Sequence, residues 1–163
     1  MDYETANKYF TYDSETGILL NRVNRGSQAK SGEEAGHVHR TGYRVVKVQN
    51  IDYLVHRVIW LMVNKIWPSE TDHINGVKID NKISNLREVT SSENNRNRPL
   101  PKNNKSGIIG VRWHEKLGKW QVQIMVNRAT THLGITDNLL DAACLRKTAE
   151  IKHGYHPNHG RLK

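Results

Sequence analysis

At 163 residues, with 36% apolar residues and a mean hydropathy of −0.72, the chain has room for one ordinary domain or two small ones with polar surfaces. It shows no apolar run of membrane-spanning length and no signal-peptide pattern, and its single cysteine, Cys144, excludes a disulfide framework and a multi-cysteine zinc site. The net charge of +9 is uneven: residues 1–50 and 51–98 each carry seven Lys/Arg against six Asp/Glu, whereas residues 99–163 carry eleven against four, so a polyanion-binding surface is expected in the last third.

Residues 1–53 read as short antiparallel strands and turns. Tyr9–Tyr12, Gly17–Leu20 and Gly42–Val48 alternate apolar positions in places and are punctuated by glycines, while the polar stretch from Asn24 to Arg40 reads as a mobile loop. From Leu54 the period changes. Val55, Val58, Ile59 and Met62 fall at i, i+3, i+4 and i+7, which predicts a helix ending before Trp67-Pro68.

Thr71–Ile74 is short enough for a strand, Asn75-Gly76 is a turn signal, and Leu86–Val89 supplies a second strand. Thr90 or Ser91 then caps a helix with Glu93 or Asn94 in its first turn. Residues 54–98 thus run strand, loop, strand, helix behind the first helix. Residues 99–106, with two prolines and no apolar period, are expected as a linker. Within 107–163, Trp120, Val122, Ile124 and Val126 alternate with Gln121, Gln123 and Met125, flanked by strands at Ile108–Trp113 and Thr130–Leu133. A helix follows, N-capped by Asn138, lined on one side by Ala142, Leu145 and Ala149, and closed by Gly154. The expected class is α+β.

The chemistry concentrates at Asp72-His73, with Asn85 twelve residues after the histidine and Asn94 nine further on. Asp72 offers the anionic oxygen that Mg²⁺ prefers, and an asparagine carbonyl can be a second hard donor. On a strand, His73 points away from Asp72, so the aspartate can face a metal while the imidazole, titrating near neutrality, acts as general base. Asn85 is expected to hold the histidine in one orientation. The residues alone leave other readings open: Asp-His pairs are common in loops, Asn-Gly is usually only a turn, and Asn94–Asn97 also fits a frayed helix end.

Val55-His56-Arg57-Val58-Ile59-Trp60, Asp72-His73-Ile74-Asn75-Gly76, Asp80-Asn81, Asn85-Leu86-Arg87, Val89-Thr90 and Ser92-Glu93-Asn94 together resemble the HNH endonucleases, more narrowly the phage-type homing and nicking enzymes with a ββα-metal site. The resemblance implies that Asp72 and Asn94 bind one divalent metal, that His73 is the base, and that Asn85 positions it. Many relatives carry a histidine where Asn94 stands; an amide oxygen favours Mg²⁺, with Mn²⁺ as the alternative, over Zn²⁺. Tyr12-Asp13, Gly17 and Gly42-Tyr43 also resemble the region preceding the motif. His56 is assigned to packing, while Arg57, Arg87, Arg96 and Arg98 are candidates for DNA contact.

Ser106-Gly107-Ile108-Ile109-Gly110-Val111-Arg112-Trp113, Gly118-Lys119-Trp120, His132-Leu133-Gly134 and Asp141-Ala142-Ala143 resemble the AP2 DNA-binding domain, in which a three-stranded sheet backed by a helix lies in the major groove. Ile109, Met125 and His132 depart from the plant pattern. The alternation places Arg112, His114, Lys119, Gln121, Gln123 and His132 on one face, with Val111, Trp120, Val122, Ile124 and Leu133 packed inward. Lys102, Lys105 and Arg128 join the DNA-contact candidates. Arginine suits guanine and glutamine suits adenine in that groove.

The resulting expectation is an HNH homing-type endonuclease, preceded by a strand-rich segment and followed by an AP2-like domain. It would nick or cut double-stranded DNA as a monomer, or cut both strands as a dimer, in the cytoplasm of a phage-infected bacterium. The rival is a non-catalytic DNA-binding regulator carrying a vestigial HNH motif.

Overall fold

The computed structural model describes residues 1–162, so that Lys163, at the end of the expected C-terminal domain, lies outside the described residues. The chain divides into two compact units, Met1–Asn94 and Asn95–Lys163.

The first unit opens with a helix that the sequence reading did not foresee, α1 (Tyr3–Tyr9), N-capped by Asp2, whose carboxylate accepts from the Thr5 N–H at 2.8 Å. At seven residues it is too short to display a 3.6-residue period, and Ala6 alone in it is fully buried. It runs directly into β1 (Phe10–Asp13), which pairs antiparallel with β2 (Ile18–Asn21) around Gly17. Residues 24–40, expected as a mobile loop, instead fold back on β2: Asn21 N–H donates to Glu33 O at 2.9 Å, Ala35 N–H donates to Leu19 O at 2.7 Å, and Ala35 has no exposed surface. Polar composition marks solvent-facing side chains here, while the backbone still finds sheet-like partners.

A second sheet, in the order β3 (His37–Val38), β4 (Arg44–Val48), β5 (Ile51–Leu54), leads straight into α2 (Val55–Asn64). The β4–β5 turn is made by Gln49 and Asn50, both with positive φ as a two-residue hairpin needs. Val55, Val58, Ile59 and Leu61 turn inward and close a core with Phe10, Leu19, Val46, Val48 and Leu86. Phe10 and Ile59 are fully buried, each contributing about 1.5–3 kcal/mol by burial. The helix stops where Lys65 turns left-handed (φ 61°). Against it lie β6 (Thr71–His73) and β7 (Leu86–Glu88), paired antiparallel, followed by α3 (Ser91–Asn95). A reciprocal cap starts α3: Thr90 N–H donates to Glu93 Oε2 at 2.8 Å, and Glu93 N–H donates to Thr90 Oγ1 at 3.3 Å.

The second unit holds a three-stranded sheet, β8 (Val111–His114), β9 (Lys119–Val126) and β10 (Ala129–Thr136), with β9 central, and α4 (Leu139–Lys152), whose cap is Asn138 accepting from Asp141 N–H at 2.8 Å. Val111, Val122 and Ala142 form its buried centre, flanked by Ile108, Trp120, Leu133 and Leu139. Ala149 is buried as expected, but Leu145 remains 39% exposed.

The expected linker at 99–106 does not run free of this unit. Leu100 N–H donates to Arg161 O, Gly160 N–H donates to Arg98 O, each at 2.9 Å, and Asn97 is 2% exposed with its carbonyl and side chain taken by the Arg161 guanidinium. Pro99 and Pro101 limit helix, not pairing of the neighbouring backbone groups. Behind β9, Arg146 is buried yet satisfied. Its guanidinium donates to Gln123 O at 2.7 Å and to Glu150 Oε1 at 2.8 Å, and lies 3.3 Å from His159 Nε2.

Candidate active site

β6 and β7 carry the candidate residues on a two-stranded ribbon whose two faces differ in kind. The register sets Asp72 opposite Arg87 and His73 opposite Leu86. The strand alternation therefore turns Asp72 and Arg87 to one side and His73 to the other, toward α2.

On the Asp72 side, the Arg87 guanidinium donates to Asp72 Oδ2 at 2.9 Å. Arg87, expected at a DNA phosphate, is thus paired with the carboxylate that would bind metal, because the register leaves each as the other's direct cross-strand neighbour. Glu70, two residues before Asp72, accepts from Asn94 Nδ2 at 3.1 Å and from Ser91 Oγ. Those hydrogen bonds, Ser91 first, hold the Glu70 carboxyl below its ordinary range. Because the Asn94 amide nitrogen faces Glu70, its oxygen Oδ1 is the end left to act as a donor to a cation.

On the other side, His73 is 3% exposed. Its Nε2 lies 3.0 Å from Asn81 Oδ1, and its ring sits edge-on to His56 at 4.8 Å and tilted against Tyr43 at 5.9 Å. Burial lowers the His73 pKa, while the bond to Asn81 and the nearby Asp72 oppose that shift, so the imidazole is held neutral at pH 7. A neutral imidazole has a lone pair to take a proton, the state a general base needs. His56, expected in a packing role, is 3% exposed, and burial pushes its pKa to about 3, with His73 and Arg57 adding to the effect.

The expected partnership of Asn85 with His73 is replaced by that of Asn81. Asn85 is spent on the loop backbone: its Oδ1 accepts from Asn75 N–H at 2.9 Å and its Nδ2 donates to Asp80 O at 2.8 Å. The first unit's N-terminal hairpin braces the same segment. Tyr12 Oη accepts from Ile83 N–H at 2.9 Å and donates to Asn81 O at 3.3 Å, and a Cβ on Gly17 would stand 2.6 Å from Lys82 N. Tyr43 and Lys78 close the far side, the ammonium 4.4 Å from the ring.

Residues 53–96 match the HNH endonuclease family model. The HNH domain therefore covers β6, β7, α3 and the helix before them. Over 101 residues, 61% of this chain, the sequence is 28% identical to Protein 3.8 of Escherichia phage T7, spanning 84% of that protein. No solved structure matches.

Among the described residues no group of three or more His, Cys, Asp or Glu side chains is arranged to hold a metal ion. Asp72 and Asn94, the residues the sequence offers for a metal, carry a carboxylate and an amide, both hard oxygen donors. Sequence reasoning missed Glu70, and quoted Asn81 and Tyr43 within the resembling segments without giving either a role. Glu70 was open to discovery from its i−2 position to Asp72 on the strand; Asn81 and Tyr43 are brought to His73 only by the folding of the loop and the β3–β4 turn.

The DNA-contact candidates separate by what already holds them. Arg57 is occupied, donating to Pro68 O at 2.7 Å and lying over the Trp67 ring at 5.0 Å. Arg96, the last residue of the HNH match, and Arg98 both fall in the second compact unit, Arg96 5.4 Å from the Tyr155 ring. On the second unit's sheet, Arg112 faces Gln121 and His114 faces Lys119, while Gln123 faces His132. Arg112 Nε donates to Gln121 Oε1 at 2.9 Å, Gln121 Nε2 lies 3.5 Å from His132 Nδ1, and Lys119 pairs with Asp137 at 2.8 Å. Lys102, Lys105 and Arg128 are exposed, the last on the β9–β10 turn.

Proposed function

We propose that the protein is a divalent-metal-dependent DNA endonuclease of the homing or nicking kind, whose HNH domain cleaves and whose second unit binds DNA through its sheet in the AP2 manner. The observation that carries the reading is the arrangement on β6. Asp72 faces one side beside the Glu70–Asn94 hydrogen bond, and a neutral, oriented His73 faces the other. Asp72 and the Asn94 amide oxygen would hold Mg²⁺ or Mn²⁺, which when bound supplies charge stabilisation at the scissile phosphate. His73 takes the proton of the attacking water, and Asn81 fixes its ring. Arg87 balances Asp72 in the free protein and is released to the phosphate as DNA enters. Asn85 keeps the loop that carries Asn81 in shape. One such site in a monomer nicks one strand; cutting both requires a second copy or a second event. The setting this reading implies is the cytoplasm of a phage-infected bacterium.

In the second unit, the row Arg112–Gln121 and the pair Gln123–His132 present donors and acceptors suited to base edges, while Lys102, Lys105 and Arg128 supply phosphate contacts. The domain plan proposed is a strand-rich support over 1–53, the HNH domain over 54–98 and the binding unit beyond, with the segment at 99–106 leading into it.

A second reading has an observation of its own. Asp72 is ion-paired with Arg87 and His73 is 3% exposed, as in a DNA-binding protein whose nuclease motif serves only as scaffold. Plasmid nicking separates the two. The nuclease reading expects Mg²⁺- or Mn²⁺-dependent, EDTA-sensitive nicking that His73→Ala abolishes while gel-shift affinity stays within about twofold, since base contacts and phosphate contacts lie elsewhere. Absence of nicking with either metal supports the binder.

A further inference from the structure

The loop joining β6 to the 3-10 turn at Ile83–Asn85 belongs to the site through its hydrogen bonds, yet it turns two apolar side chains into solvent. Val77 is 48% exposed and Ile79 is 60% exposed. The loop around them is braced at every step. Asn75 N–H is held by Asn85 Oδ1 at 2.9 Å, Asn75 Nδ2 donates to Asp80 Oδ2 at 2.7 Å, Val77 N–H donates to Asn75 Oδ1 at 2.8 Å, and Asp80 N–H donates to Val77 O at 3.1 Å. Between the two apolar residues Lys78 is turned back, its Nζ donating to Thr41 O at 2.7 Å and resting on the Tyr43 ring. The loop's far end carries Asn81, bonded to His73. The firmly held loop thus presents a small β-branched apolar point next to the segment that meets His73.

We propose that Val77 and Ile79 form a wedge that enters the minor groove beside the scissile phosphate and opens a base step there, bending the duplex toward His73 and Asp72. The inference rests on the nuclease reading above. Position argues for DNA as the occupant. Val77 and Ile79 are four and six residues past His73, so their Cα atoms lie at most about 14 Å and about 21 Å from it, and the wedge meets the duplex within about six steps of 3.4 Å from the cleavage point. A single loop tip fits a minor groove roughly 6 Å wide, where a helix does not. Apolar side chains inserted this way unstack a step at a cost of a few kcal/mol and kink DNA by about 20–90°. Lys82, three residues beyond Ile79, is exposed and adds positive charge next to the loop. Unstacking also gives the shielded His73 a route to its substrate, since a bent backbone can approach a recessed imidazole that a straight one passes over.

The test uses the full chain and supercoiled plasmid with Mg²⁺, the nick being mapped by run-off sequencing. A short duplex copied from the mapped site then carries 2-aminopurine near the nick, with Ca²⁺ replacing Mg²⁺ to hold off cleavage. Wild type should raise the 2-aminopurine fluorescence, and Val77→Ser/Ile79→Ser should not. The double variant should nick intact duplex at least about tenfold more slowly and recover to within about twofold of wild type on the same duplex with a two-base mismatch at the nick, where the unstacking cost is already met. Val77→Leu/Ile79→Leu, which keeps the apolar tip, should behave as wild type. Equal nicking of intact duplex by the serine variant and wild type would overturn the wedge, as would light scattering that shows a wild-type dimer and a monomeric serine variant. Failure of wild type itself to nick with Mg²⁺ or Mn²⁺ would instead remove the nuclease reading on which the wedge depends.

Discussion

Gly17→Ala tests whether the N-terminal hairpin supports the HNH loop or merely precedes it. Gly17 has φ +79°, and a Cβ there would meet Lys82 N at 2.6 Å, Lys82 Cγ at 2.9 Å and Asn81 C at 3.0 Å. Two costs add. Left-handed backbone costs an alanine about 1–2 kcal/mol, and forcing a methyl against backbone costs about 1–3 kcal/mol more. Together they amount to about 2–5 kcal/mol, a large part of the 5–15 kcal/mol that ordinarily holds a domain folded. The strain should fall on Asn81, which holds His73, so nicking should drop further than stability alone explains. Gly32→Ala separates the terms: its φ is +83°, and a Cβ there meets nothing within 4 Å. Urea unfolding of both variants, followed by nicking assays under conditions where each remains folded, measures the difference. If Gly17→Ala costs no more than Gly32→Ala and leaves nicking unchanged, the hairpin does not brace the site and the argument from Tyr12 and Gly17 is wrong.

Glu70→Gln should raise the Mg²⁺ concentration for half-maximal nicking by about tenfold or more, as loss of an outer-sphere carboxylate commonly does, with the rate at saturating metal largely kept; an unchanged metal titration would separate Glu70 from the Asn94 amide. His56 is neutral in the fold with its pKa near 3, so below pH 6.5 the unfolded chain takes up a proton that the folded one refuses. The first unit should therefore lose about 2 kcal/mol from His56 alone between pH 7.5 and pH 5. His56→Gln should reduce that pH dependence of the urea midpoint without abolishing it, because His73 titrates in the same sense; an identical pH slope in the variant would refute the assignment. Arg112→Ala should weaken binding to the mapped site by about 1–3 kcal/mol with little change on unrelated duplex, measured by gel shift at fixed salt; an equal loss on both would make Arg112 a phosphate contact.

The order strand, loop, strand, helix was legible because Asp72-His73, Asn75-Gly76 and the Thr90–Glu93 cap lie within one continuous stretch whose local signals agree. The central alternation of β9 and the Asn138 cap were legible for the same reason. α1 was hidden because one buried alanine gives no period, and the packing of residues 24–40 was hidden because backbone pairing to Leu19 and Asn21 leaves no mark in side-chain polarity. Residues 99–106 read as a linker for their two prolines, but Leu100 and the residues just before it pair with backbone about sixty residues later at His156–Arg161, beyond the reach of any local pattern.

Within the site, the exchange of Asn85 for Asn81 shows what motif order can and cannot carry. Spacing fixes that an asparagine stands after the histidine and before the second strand; it does not say which amide meets the ring. At position 85 the fold needs an acceptor for Asn75 N–H and a donor for Asp80 O at once, and the carboxamide supplies both from its two ends. At the ring, Asn81 Oδ1 stands 3.0 Å from His73 Nε2, carried by a loop that Asn85 and Tyr12 hold. Asn81 is thus the direct partner of the His73 ring and the last link of a chain of amides that shapes the loop. That chain couples the placement of His73 to a loop whose tip is Val77 and Ile79, so whatever the tip touches acts on the same segment that orients the imidazole.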